Sequence, residues 1–273
     1  MNTRLRIVLS AIGISLLYVA AASLGSDIAK GNELIHSAIE LLVVGIAEAI
    51  FVAWICNWQI KGERVLTILV HPILVIATTI LFFNLALPLA GAGFFERLNF
   101  FITNAFILLV LTYVLHASVN VLNLSSIQNI PLAQAGKSAN YIITLIISYL
   151  GLAVTINSSF SIILQGILVF FMIGLFTNTA LWTINLEKEQ RLTATLGVSL
   201  IVLLAFFILS LWPIETFYLS LIMALIYYMI LGIALEVREV LPRWIWLEYG
   251  AIFSVIVLIL LLIGNWGING TIF

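Results

Sequence analysis

The chain has 273 residues, 63% of them hydrophobic and 8% charged, and a net charge of −1. A soluble domain carries about 25% charged residues, so this sequence cannot build a water-facing surface, and its solvent must be lipid. Eleven Lys and Arg against twelve Asp and Glu leave no basic footprint for nucleic acid, and a single cysteine, Cys56, excludes an intramolecular disulfide.

Apolar runs of about 18 or more residues, the length that crosses a hydrocarbon core of about 30 Å, fall at 6–24, 35–57, 65–90, 100–121, 138–155, 160–184, 193–212, 215–236 and 244–264. The gaps between them leave no room for a soluble domain. The predicted fold is all-α: a polytopic helical membrane bundle of nine transmembrane helices with short loops, a single integral membrane domain over 1–273. The first run has a second reading. MNTRLR, then IVLSAIGISLLYVA, then AAS has the build of a secretory signal peptide, and its removal would leave eight spans.

The basic residues set the orientation. Alternating sides from a cytoplasmic N-terminus places Arg4, Arg6, Lys61, Arg64, Lys137, Lys188, Arg191, Arg238 and Arg243 inside, and only Lys30 and Arg97 outside. The positive-inside rule asks for this bias over short loops, so the sequence predicts an inner-membrane protein with its N-terminus inside and its C-terminus outside. Tryptophan agrees: Trp54, Trp58, Trp182, Trp244 and Trp246 fall at or near inner ends, and Trp212 and Trp266 at outer ends. The longest polar break, 122–137, contains Pro131 and Gly136, which are expected to interrupt any helix, and reads as interfacial or re-entrant. The short, uncharged hairpin Asn157–Ser161 predicts that the spans flanking it are antiparallel neighbours.

Four blocks carry a resemblance: NIPLAQAGKSANYIITLI (129–146), ALWTINLEKEQRL (180–192), LSLWPIETFYLSLIMALIYYMILGI (209–233) and WLEYG (246–250). In this order, over about 120–262, they resemble a family of uncharacterised multi-pass membrane proteins from small-genome bacteria. That resemblance implies membrane topology and no activity, substrate or cofactor.

The residues that could carry chemistry lie in the first half. The second span holds His36, Glu40 and Glu48. At the helical period Glu40 lies about 40° from His36 and Glu48 about 120° from it, so all three share about one third of the circumference. An intramembrane acid is a functional-site hypothesis by default. Two readings stand: a packed face with neutral carboxyls bonded to neighbouring helices, or an ion or proton path through Glu40, Glu48 and His36. The third span opens on His71-Pro72, where proline frees a backbone carbonyl near 68 and bends the helix; Asn84 and Pro88 mark a second irregular point. The fourth carries a polar stripe, Thr112, His116, Asn120 and Asn123, on one face, suited to interhelical hydrogen bonds or a wet cavity.

Alternating spans bring Glu48, His71 and His116 to similar depth, where a Glu and two His could ligate a transition metal. His116-Ala-Ser-Val-Asn120 also resembles the HxxxN motif of CAAX-protease-like intramembrane metalloproteases, which implies catalytic roles for Glu48, His71, His116 and Asn120. The sequence departs from that family: Glu48 is a single acid with no following Arg, and Thr67 stands where the family's FxxxH motif has Phe. Three functions therefore remain: a non-catalytic membrane component or assembly subunit, placed first; a small-solute or proton-coupled permease using Glu40 and Glu48; and a metal-dependent intramembrane hydrolase. No cofactor is expected. The expected surroundings are the lipid bilayer and a membrane-protein partner or a second copy of the chain.

Overall fold

A computed structural model describes residues 2–29, 33–60, 62, 64–86, 94–125, 132–184, 186–236 and 243–263. Among the described residues the chain forms nine α-helices and no strand: α1 Thr3–Ala29, α2 Glu33–Ile55, α3 His71–Ala86, α4 Phe94–Ser125, α5 Ala133–Ile156, α6 Ile162–Trp182, α7 Lys188–Leu209, α8 Thr216–Glu236 and α9 Arg243–Ile263. A π-helical segment, Val65–Val70, runs directly into α3. Eight of these helical stretches are long and apolar enough to cross a membrane, the π segment counted with α3, whereas α9 contributes a shorter apolar stretch, Leu247–Leu262. The chain is a multi-pass helical membrane protein. Helices are what lipid dictates, because each backbone N–H and C=O must find its partner within its own segment. The hydroxyls follow the same rule: Thr79, Thr144, Ser199 and Ser220 each donate to the carbonyl four residues back.

Contacts divide the chain into two compact units, Met1–Ile147 and Ser148–Phe273. In the first, α1 packs on α2 and α4, and α3 packs on α2 and α4. The face of α2 toward its neighbours is Glu40, Val44, Glu48 and Val52, spaced by four and buried, while Leu42, Ile46 and Ile50 on the opposite face are more than half exposed. Arg6 locks the α1–α2 register. Its guanidinium lies over the Trp54 ring and donates to the Trp54 carbonyl and to the Asn57 side chain. The carbonyl end of α2 carries the negative pole of the helix dipole, so a cation is favourable there. The chain then leaves α2 through Asn57 and Trp58, both at positive φ (53° and 58°), and Gly62 at 62°.

Pro72 sits at the second residue of α3 and supplies no N–H. The expected disturbance takes the form of the π segment before it, where the His71 N–H reaches the Leu66 carbonyl, five residues back. The wider turn gives the proline ring room against the preceding carbonyls.

The 122–137 break is shorter than expected. α4 continues to Ser125 and α5 begins at Ala133, so Gly136 is helical rather than a helix breaker. Its role is close approach: a Cβ there would lie 2.6 Å from Val121 Cγ1, and the Ser118 hydroxyl donates to the Gly136 carbonyl at 2.9 Å. Lys30, Lys61, Pro88, Pro131, Arg238 and Trp266 lie outside the described residues.

In the second unit α6 packs on α7, α7 on α8 and α8 on α9. Small residues admit large rings, as Gly166 does for Phe207. Thr177 donates to the Tyr227 hydroxyl at 3.4 Å, and Tyr228 donates to Glu248 at 2.8 Å. The 157–161 turn is tied down by Thr216 donating to Asn157, and by Gln165 donating to the Ser158 carbonyl.

Candidate functional site

All six candidate residues from the sequence lie in the first unit. Glu48 and His116 meet across α2 and α4, with Nε2 of the ring 2.8 Å from Oε1 and both side chains wholly buried. The other ring nitrogen, Nδ1, is 2.7 Å from the hydroxyl of Ser10 on α1, also wholly buried. Ser10 in turn donates to the Ile7 carbonyl at 2.9 Å. Three helices thus contribute one side chain each to a linear chain of hydrogen bonds. The second carboxylate oxygen, Glu48 Oε2, is buried without a partner.

A second cluster surrounds Glu40. Asn84 of α3 donates to Glu40 Oε2 at 2.6 Å and to the Ser37 hydroxyl at 3.3 Å, while His36, one turn back on α2, lies 3.1 Å from Glu40 Oε1. Tyr18 of α1 lies within reach of Asn104 and of Glu40. The two clusters follow from register: eight residues separate Ser10 from Tyr18 on α1 and Glu40 from Glu48 on α2, so the antiparallel helices align both pairs. Eight residues is about 12 Å along a helix. Between the clusters lie Ile14, Val44 and Leu108, all wholly buried.

His71 does not join the Glu48 centre. It is buried on the side of α5, its Nε2 3.4 Å from the Thr144 hydroxyl. Thr144 spends its own proton on the Asn140 carbonyl, so it accepts from the ring. Shared depth was expected to bring Glu48, His71 and His116 together. Helix rotation prevents it, since His116 turns toward α1 and α2 while His71 turns toward α5. Among the described residues no three His, Cys, Asp or Glu converge closely enough to hold a metal ion. Asn120, one turn beyond His116, is half-buried, whereas Thr112 and Asn123 of the same stripe are buried.

The order Ser–His–Glu resembles a hydrolytic triad in connectivity only. A nucleophile needs substrate access and nearby oxyanion donors. Ser10 is wholly buried in mid-helix, where backbone N–H groups are engaged in the helix itself. What the arrangement can do is hold a proton and move it over a short distance between carboxyl and imidazole.

Sequence reasoning found Glu40, Glu48, His36 and His116 but not Ser10, Tyr18 or Asn104. One serine in an apolar helix carries no signal of its own. The usable clue was the spacing on α1, where Arg6, Ser10, Ile14 and Tyr18 repeat every four residues. No family model, curated protein or solved structure matches this chain.

Proposed function

We propose that this protein is a proton-linked permease of the cytoplasmic membrane, oriented with its N-terminus inside. One observation carries the reading: a carboxyl–imidazole pair, Glu48–His116, lies 2.8 Å apart and wholly buried between helices. Helix contact alone is served by Ser, Thr and Asn at lower cost, whereas ionisable groups in a membrane interior mark ion and proton pathways. Glu40 with His36 forms a second station on the far side of the Ile14–Val44–Leu108 layer. The nine-to-two division of basic residues supports the orientation. The resemblance of 120–262 to a family without assigned activity supports membrane topology alone.

The test is proton movement into proteoliposomes carrying an internal pH-sensitive dye, under an imposed potential. Wild type is expected to acidify the lumen faster than empty vesicles, and Glu48→Gln to abolish the difference. Equal rates for Glu48→Gln and wild type would remove Glu48 from the path. A specific observation favours a second reading, that of a non-catalytic membrane component. Buried apolar residues, Ile14, Val44 and Leu108, stand between the two clusters, as they would in a packing core. Wild-type vesicles no more permeable than empty ones, with either ionophore-verified gradient, would favour that reading.

A further inference from the structure

Ser10 donates its one proton to the Ile7 carbonyl, yet stands 2.7 Å from His116 Nδ1. A hydroxyl has one proton, so toward the ring Ser10 acts as the acceptor and Nδ1 carries the hydrogen. In the neutral imidazole Nε2 is then a bare lone pair facing Glu48 Oε1 at 2.8 Å. Two lone pairs do not approach to that distance without a proton between them, and the remaining donor is the carboxyl. Each group is then satisfied in sequence: Glu48 donates to His116, His116 to Ser10, and Ser10 to Ile7. The chain is electrically neutral, which suits three side chains with no exposure. The alternative turns the Ser10 proton onto Nδ1 and places the ring hydrogen on Nε2, leaving a bare carboxylate. Its second oxygen, Oε2, has no partner, and a buried carboxylate requires partners on both oxygens. A neutral acid tolerates a lone carbonyl oxygen far better.

We infer that Ser10 is a positioning residue which fixes the Nδ1–H form of His116, so that Glu48 Oε1 holds the exchangeable proton of the centre. Transfer of that proton forms one N–H bond at Nε2 and breaks one O–H bond at Oε1. It gives imidazolium and carboxylate with no change in the number of protons, and Ser10 accepts from Nδ1 in both states. Arg6 is turned to Trp54 and Asn57, His36 and Glu40 bond to each other, and His71 lies against Thr144, so each of these groups bonds outside the centre. Arg4 on α1, Arg64 before α3, Glu96 on α4 and Lys137 on α5 complete the charged side chains described in the first unit.

This inference deepens the proton-linked reading and rests on it for its purpose, but its test needs no transport. Protein with ¹⁵N-labelled histidine is placed in bilayers, and the ring nitrogens of His116 are read by solid-state NMR, with a His116→Asn variant for assignment. Wild type is expected to show a protonated Nδ1 and a hydrogen-bonded, unprotonated Nε2. Ser10→Ala is expected to lose the preference for Nδ1–H, and Ser10→Thr, which keeps the hydroxyl, to restore it. An unprotonated Nδ1 in wild type would overturn the inference without any variant, as would an unaltered Nδ1–H signal in Ser10→Ala. Vesicles that fail to conduct protons would sink the permease reading while leaving these signals as they are.

Discussion

The first unit contains the same chemical pair twice, and the two copies are built differently. His36 and Glu40 sit one turn apart on a single helix, with His36 24% exposed. His116 and Glu48 come from two helices, 68 positions apart in sequence, and neither is exposed. The local pair forms wherever α2 is helical. The distant pair forms only when α2 and α4 have the right depth and rotation, so it reports on the assembled bundle and constrains it. Burial without competing solvent also makes the distant pair the stronger candidate for holding a proton.

Truncations to alanine sharpen this contrast, taken from the largest expected effect to the smallest, with Glu48→Gln as the control for the first. Glu48→Ala leaves His116 Nε2 unpartnered and opens a cavity, and a loss on the order of 3 kcal/mol is expected in denaturant unfolding. Glu48→Gln supplies an N–H donor of the same shape and is expected to recover most of that loss, which an ionised Glu48 would not allow. Glu40→Ala is expected to cost about 2 kcal/mol, since Asn84 keeps its bond to Ser37. Asn84→Ala removes a single donor from that cluster and is expected to cost about 1 kcal/mol, seen as a modest fall in midpoint. His36→Ala removes the partly exposed member of a pair within one helix and is expected to cost about 0.5 kcal/mol or less. A His36→Ala loss as large as that of Glu48→Ala would erase the distinction between the two pairs.

Much of this architecture was legible in the chain because lipid imposes one strict rule, that long apolar runs must be helices. The inward direction of Glu40 and Glu48 was legible for the same reason, as exposure to lipid is costly and the four-residue spacing assigns a face. Rotation of one helix against another was not legible. His71 and His116 were expected at one depth, and what separates them is the direction of the His71 side chain, toward Thr144 of α5 rather than toward Glu48. Ser10 was invisible because its meaning lies in what it touches. Gly136 was misread because glycine breaks helices in water but lets them approach closely in membranes. The π segment at Val65–Val70 was half legible: Pro72 announced a disturbance but not its form.

The central claim is that Glu48 is a neutral acid bonded to His116 inside the membrane. Infrared difference spectroscopy of wild type against Glu48→Gln in lipid measures this directly, through the carbonyl stretch of a protonated carboxyl. The account predicts a carboxylic-acid band at neutral pH that disappears in Glu48→Gln, remains in Glu40→Gln, and shifts in His116→Asn as its hydrogen-bond partner changes. A Glu48→Gln spectrum that instead loses carboxylate bands, with no acid band lost, would contradict it.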